Sequence, residues 1–421
     1  MLDIAFIREN KDLVANNTRD RLAKVDIDRL LSLDETWRTQ ETELQNLRAT
    51  RNKSSKTKPG PDEIAAMKKL GIEIAGLEEE QRVLEEAIKE LLLVVPNLSH
   101  PEVVVSANED DNPVFEQIGK IPNFKFEPKD HVELAEMHDL IDFDRGTKIA
   151  GAKFYFLKNE LVFLSQALNR YALDIAAKHG YTPMITPDLA KTSIVEGLGF
   201  NPRGESSQIY RIEGEDLNLI GTAEIPLGGY HADEVLDLSK GPKKYVALSH
   251  CFRTEAGAAS KFSKGIFRVH QFEKLEMFVY CRPEQSEKIH HELLGIQKQI
   301  MKGLGIPFRV IDHCSADLGT PAYRTFDLEA WLPGKPNKHN QKGDWAEITS
   351  VSNCTDYQSR SLHIKYFDEH GKKELVHTLN GTAHPGVRVL IALLENFQTK
   401  KGTIEIPKVL RPYLPFKKIG S

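Results

Sequence analysis

Cations, a ring and carboxylates recur at strand spacing in the middle of the chain. Arg253 and Glu255, two apart, continue a β-rich run from Lys244 to Phe252, and Arg268, Phe272 and Glu276, four apart, fall within a second run from Ile266 to Cys281. Side chains alternate across a strand, so each set is expected on one face. From Arg268 to Glu276 that face would run about 25 Å, enough to line an extended ligand such as an adenylate with charge complementarity along its length. A surface salt-bridge ladder is the plainer use of charged strands; the aromatic ring between the charges favours a ligand.

Other chemistries leave no trace. No G-x-x-x-x-G-K-[ST] loop and no G-x-G-x-x-G follows a strand, so a nucleotide would have to be held some other way. Cys251, Cys281, Cys314 and Cys354 lie far apart without a C-x-x-C pair, which supports neither a zinc site nor a disulfide framework and reads as reduced packing residues. A net charge of −5 gives no global sign of nucleic-acid binding. Locally, Gln45 to Pro61 holds no acidic residue, while Arg48, Arg51, Lys53, Lys56 and Lys58 crowd it. Such a patch neutralises phosphates, although a solvated basic loop accounts for it equally well.

These groups need elements to position them. Leu30, Leu33, Trp37, Leu44 and Leu47, then Met67, Leu70, Ile74, Leu77, Leu84, Ile88, Leu91 and Val95, follow heptad logic and predict two long amphipathic helices. Ser54 to Pro61 breaks the helix between them, and so short a connection makes the pair antiparallel, a helical hairpin with a basic tip. A two-helix seam buries little by itself, so the hairpin reads as a projecting arm. Pro96 ends it, and the acidic Asn108 to Pro113 stretch reads as a linker, giving an arm domain over 1–108 and a larger domain over 109–421. The larger part mixes helix and strand: Leu161 to His179 is an amphipathic helix stopped by Gly180, and strands follow one another through loops. The sheet should therefore be mainly antiparallel and the class α+β. Leu91 to Val95 is too short to span a bilayer, and the charged Met1 to Glu9 start lacks a secretory apolar stretch, which together suggest a cytoplasmic protein with no membrane partner.

Cys251-Phe252-Arg253-Thr254-Glu255-Ala256-Gly257 through Arg268-Val269-His270-Gln271-Phe272-Glu273-Lys274-Leu275-Glu276 looks like the second class II synthetase motif in its seryl form, and the chain resembles the seryl-tRNA synthetases of class II over nearly its full length. The resemblance implies that Arg253 and Arg268 hold the α-phosphate of ATP, that Glu255 accepts from the adenine amino group, and that Phe272 stacks under the purine beside Thr254 and Val269. Gly221-Thr222-Ala223-Glu224 resembles the serine-binding loop, with Thr222, Ala223 and Glu224 around the substrate ammonium. Asp344 to Asn353 resembles the segment in which Glu347, Ile348, Thr349 and Ser350 meet ATP and Glu347 and Ser350 ligate Mg²⁺. His377 to Thr382 with Arg388 looks like the third motif. It implies Arg388 on the γ-phosphate side, and Thr382, Glu276 and Asn380 on the serine, whose hydroxyl such a site reads so as to reject alanine. Pro187 resembles the first-motif proline, which implies a homodimer.

On this likeness the expected substrates are L-serine, ATP and tRNA(Ser), with a selenocysteine tRNA as an open second acceptor; the tRNA would be gripped through the arm. Departures are visible. Val387 stands where the family usually has glycine, with Gly386 displaced by one after Ala383-His384-Pro385; the Ser260 to Lys264 loop lacks the usual acidic residue; and Lys335 to Trp345 looks inserted. An inactive or repurposed relative that binds tRNA or serine without aminoacylation is therefore the alternative reading. His384 is expected to be a solvated loop histidine.

Overall fold

The computed structural model describes residues 1–54, 60–201, 207–256 and 262–420. Lys56 and Lys58 of the basic patch, the helix break over 55–59, and Gly257, Ser260 and Lys261 of the second-motif loop lie outside the described residues. Two compact units are present, Met1–Leu98 and Ser99–Ser421.

In the first unit two long helices, α1 (Ile27–Ser54) and α2 (Pro61–Val94), follow two short ones, Ile4–Glu9 and Lys11–Asp20. Asp3 caps the first turn by accepting from Ala5 N at 2.7 Å, and Pro61 opens α2, where its missing N–H costs nothing. Leu30, Leu44 and Ile74 are buried in the seam between the long helices. Their antiparallel sense shows in the cross-helix contacts: Trp37 donates to Glu85 at 3.1 Å, Gln40 to Glu80 at 3.0 Å, and Arg48 to Glu78 at 2.7 Å. One heptad position is polar. Gln81 is buried in the seam and donates to Glu41 Oε2 at 2.9 Å, a pairing that fixes register because any slip would strand the amide among leucines.

The second unit is built on an eight-stranded sheet: β1 (Val114–Ile118), β2 (Thr182–Ile185), β3 (Lys243–Phe252), β4 (Gln271–Cys281), β5 (Phe308–Asp312), β6 (Arg324–Pro336), β7 (Lys342–Thr355) and β8 (His377–His384). Their spatial order is β1-β5-β6-β7-β8-β4-β3-β2, antiparallel throughout except for the parallel edge pair β2 and β3. Helices α3 (Glu160–Lys178), α4 (Ser286–Leu304) and α5 (Val387–Asn396) contribute Leu164, Leu293 and Leu390 to one core with Met277, Val279 and Phe326 of the sheet. Along β4, residues 277 to 281 alternate between two cores rather than between core and water: Phe278 and Tyr280 join a separate cluster with Ile225 and Leu227. A strand buried on both faces reads as a continuous apolar run.

The segment before β1 is tied to this unit. His100 N donates to Tyr323 O, Ser315 N to Val104 O, and Asn112 Oδ1 accepts from Cys314 N at 2.7 Å. The division between units accordingly falls at 98/99, ahead of the acidic stretch at 108 to 113. Lys335 to Trp345 forms the end of the β6–β7 hairpin, closed by Lys335 on Asp344 at 2.7 Å and by an edge-on contact of Trp331 with Trp345. All four cysteines are buried, and none forms a disulfide among the described residues. Among the described residues no helix is long and apolar enough to cross a membrane.

Two strand assignments differ from expectation. β3 ends at Phe252 and β4 begins only at Gln271, so Arg253, Glu255 and Arg268 stand on connecting chain, not on strands. Glu255 even adopts φ +52°, a left-handed turn conformation that strand alternation does not foresee. His384 is buried at the end of β8, not solvated in a loop.

Candidate active site

A cavity of ≈ 390 Å³ opens where β4, β7 and β8 meet the chain that follows β3. Register sets its floor. Thr382 on β8 stands opposite Glu276 on β4, and Asn380 opposite Phe278, so Asn380, Thr382 and Glu276 look into one space. Lys274, two residues before Glu276, shares that face.

Glu224 and Glu276 each have one oxygen saturated. Glu276 Oε2 meets Lys274 Nζ at 2.8 Å and accepts from Thr382 Oγ1 at 3.1 Å. Glu224 Oε1 accepts from Gln358 Nε2 at 2.8 Å and from Asn380 Nδ2 at 3.0 Å. The remaining oxygen of each carboxylate has no donor among the described residues. Burial, with Glu276 beside it, pushes Glu224 up to about 7, against the opposing pull of Lys274, Gln358 and Arg253. Such a pocket, with two carboxylates and one buried ammonium, lacks one positive charge.

Guanidinium groups dominate the rest of the wall. Arg253 donates to Gly221 O at 3.2 Å and lies over the Phe272 ring at 5.3 Å from its centroid. Arg268 Nη1 is 3.5 Å from Glu255 Oε2, while its buried Nε has no acceptor among the described residues. Arg388, on the first turn of α5, reaches Glu347 Oε1 at 2.7 Å and covers Phe267 at 4.8 Å. That cation holds the Glu347 carboxyl well below the usual carboxylate range. His313 is a further fixed cation: burial would lower its pKa, but Asp327 at 3.1 Å and Asp317 at 3.3 Å raise it to about 10.

A bulge brings Glu347 and Ser350 to one side. Glu329 pairs with Glu347 but Leu328 pairs with Thr349, so Ile348 is an extra residue in β7. Three residues apart, the two side chains would otherwise point to opposite faces; the bulge returns both to the cavity. One carboxylate and one hydroxyl suit a hard cation that takes its other ligands from phosphate and water, which fits Mg²⁺. No group of three or more His, Cys, Asp or Glu able to hold a metal occurs among the described residues.

Of the residues singled out in the sequence, Thr222, Glu224, Arg253, Glu255, Arg268, Val269, Phe272 and Glu276 line this cavity. So do Glu347, Ile348, Thr349, Ser350, Asn380, Thr382 and Arg388. Two do not. Ala223 is fully buried in the neighbouring apolar cluster, and Thr254 turns its hydroxyl to Ser207 O at 2.6 Å. Arg48, Arg51 and Lys53 belong to α1 of the other unit, Arg51 and Lys53 exposed. Lys274, His313, Phe267 and Gln358 also belong to the site, although the sequence did not single them out; alternation from Glu276 would have found Lys274, whereas nothing local marks Gln358. The displaced glycine has a structural use: Gly386 caps α5 at φ +61°, and a Cβ there would lie 2.3 Å from Glu273 O. Val387 then follows as the first helical residue, and Arg388 still enters the cavity.

An antiparallel sheet whose cavity is ringed by three arginines from the flanking chain and helix, with paired carboxylates on its floor, defines a class II aminoacyl-tRNA synthetase core, and residues 208–397 match the model of the tRNA synthetase class II core domain (G, H, P, S and T). Residues 1–99 match the seryl-tRNA synthetase N-terminal domain. A serine–tRNA ligase of Treponema denticola is 52% identical across all of both chains, and one of Dictyoglomus turgidum is 46% identical across 100% of this chain and 99% of its own. The seryl-tRNA synthetase of Pyrococcus horikoshii, solved with ATP, superimposes with a TM-score of 0.86 at 39% identity, covering 100% of this chain and 99% of that one. The chain belongs to the seryl-tRNA synthetase family.

Proposed function

We propose that this chain is a serine–tRNA ligase. A serine carboxylate oxygen attacks the α-phosphorus of ATP, the bond to the β-phosphate oxygen breaks, and pyrophosphate leaves to give seryl-adenylate. The terminal ribose hydroxyl of tRNA(Ser) then attacks the seryl carbonyl, AMP leaves with the bonding pair, and the hydroxyl proton passes to the departing phosphate or solvent. The observation that carries this reading is the pairing in one cavity of a carboxylate end lacking one positive charge with a guanidinium-rich end.

At the first end, Glu224 takes the serine ammonium and Glu276 with Thr382 takes the hydroxyl; threonine is excluded for lack of room. At the other, Arg253 and Arg268 neutralise the α-phosphate as charge builds on it, and Arg388 meets the γ-phosphate. Glu255 and Phe272 hold the adenine. Positioning, rather than side-chain acid or base chemistry, supplies most of the rate. Mg²⁺, held by Glu347 and Ser350, supplies charge neutralisation of the phosphates when bound.

The helical hairpin with Arg48, Arg51 and Lys53 holds the tRNA by shape and backbone charge. A homodimer through the region of Pro187 is supported by the apolar side chain of Ile185 on the edge strand β2, 92% exposed. The work of charging tRNA belongs to the cytoplasm. The test is pyrophosphate exchange into ATP by the purified full chain with serine, threonine and alanine. Exchange with serine alone is expected; no exchange with any of them overturns the proposal in favour of a repurposed relative.

A further inference from the structure

Gln358 sits on a five-residue helix, Tyr357–Ser361, behind the cavity wall and fully buried. All of its polar capacity toward the site is committed. Its amide nitrogen donates to Glu224 Oε1 at 2.8 Å and to Leu198 O at 3.2 Å, and its oxygen accepts from Thr378 Oγ1 at 2.7 Å. The orientation is forced, because a flipped amide would set its oxygen against a carboxylate and a backbone carbonyl. Asn380 adds a second donor to the same carboxylate oxygen.

We propose that Gln358, without touching substrate, is the positioning residue of the serine subsite: by occupying Glu224 Oε1 it fixes the carboxylate and presents Oε2 to the substrate ammonium. The inference rests on the reading of Glu224 as the ammonium partner. A buried carboxylate with no fixed donor would rotate between partners and be protonated more readily still; two N–H groups on one oxygen hold its rotamer and favour the charged form.

The electrostatics around Glu224 agree. Burial and Glu276 raise its pKa, while Lys274, the Gln358 amide and Arg253 lower it; Asn380 and, beyond it, Cys354 complete the surroundings. As pH falls through about 7, Glu224 takes a proton and the ammonium loses its partner, so the KM for serine rises on the acid side. Removing the Gln358 donor moves that acid limb to higher pH.

The experiment is serine-dependent pyrophosphate exchange with the full chain, wild type, Gln358→Glu and Gln358→Met, across the neutral range. Gln358→Glu keeps the shape and the Thr378 hydrogen bond but replaces the amide donor by a second carboxyl that shares a proton with Glu224; Gln358→Met keeps only volume. Both should raise the KM for serine by about ten-fold near neutrality, leave the KM for ATP within about two-fold, and shift the acid limb for serine upward. An unmoved limb, or equal rises in both KM values, makes Gln358 a structural residue and overturns the proposal. A wild-type chain that exchanges with serine but shows no acid limb overturns it as well, while absence of exchange in the wild type removes the serine-ligase reading itself.

Discussion

Thr382 on β8 donates to Glu276 on β4 at 3.1 Å, from the position directly opposite in the ladder. The pair uses up one carboxylate oxygen and leaves the other for a substrate hydroxyl. Glu276→Gln should lower kcat/KM for serine by about 100-fold, the cost of a hydrogen bond to a charged acceptor. The KM for ATP should stay within about two-fold. Exchange at varied serine and varied ATP checks this, and an equal rise in both KM values would remove the hydroxyl-reading role.

Arg388 keeps Glu347 ionised, so demand for Mg²⁺ should stay flat from about pH 6 to pH 8, above the reach of a depressed carboxyl. Chelation should abolish exchange and added Mg²⁺ restore it. Glu347→Gln should raise the Mg²⁺ concentration for half-maximal exchange by about ten-fold or more. A variant with unchanged Mg²⁺ demand would take Glu347 out of the metal site.

Arg51 and Lys53 stand exposed in the last turn of α1, whereas Arg48 is already paired with Glu78. Replacing both exposed cations by alanine should weaken tRNA binding and reduce the slope of log affinity against log salt by about 1.5 to 2, because each phosphate left unneutralised keeps its counterion. Adenylate formation should not change. Titration of tRNA binding at several salt concentrations is the check, and an unaltered slope would move the RNA-binding surface elsewhere.

His384 is buried, its Nε2 has no acceptor among the described residues, and burial pushes its pKa down to about 3. The unfolded chain binds a proton near pH 6.5 that the folded chain refuses, so stability falls as pH drops below that value. In His384→Leu this contribution disappears. Urea unfolding at pH 7 and pH 5 should show the variant losing about 2 kcal/mol less than the wild type over that interval. Some acid sensitivity remains through His290, whose pKa burial lowers to about 4.

Much of this was legible in the residues. The heptads at Leu30, Leu44 and Ile74 place the seam where it is, because helical period and apolar face are local properties. Strand-period logic was less reliable at the cavity rim. Arg253, Glu255 and Arg268 lie beyond the strand ends and enter the cavity through turns, one of them at positive φ, which no periodicity encodes. Gln81 and Gln358 show the other limit. A polar residue in an apolar seam or on a very short helix becomes interpretable only when its partner, Glu41 or Glu224, is brought to it across 40 or 134 positions of chain. His384 failed for the opposite reason: its sequence neighbours Pro385 and Gly386 suggest a loop, and only the pairing of β8 with β4 buries it.

The supernumerary Ile348 makes β7 sensitive to length as well as to composition. Deleting that one residue would leave both proposed Mg²⁺ ligands in the chain, yet would turn Glu347 to the far side of the sheet, away from Ser350 and out of reach of Arg388. In this stretch a shortened chain is a harsher change than most substitutions.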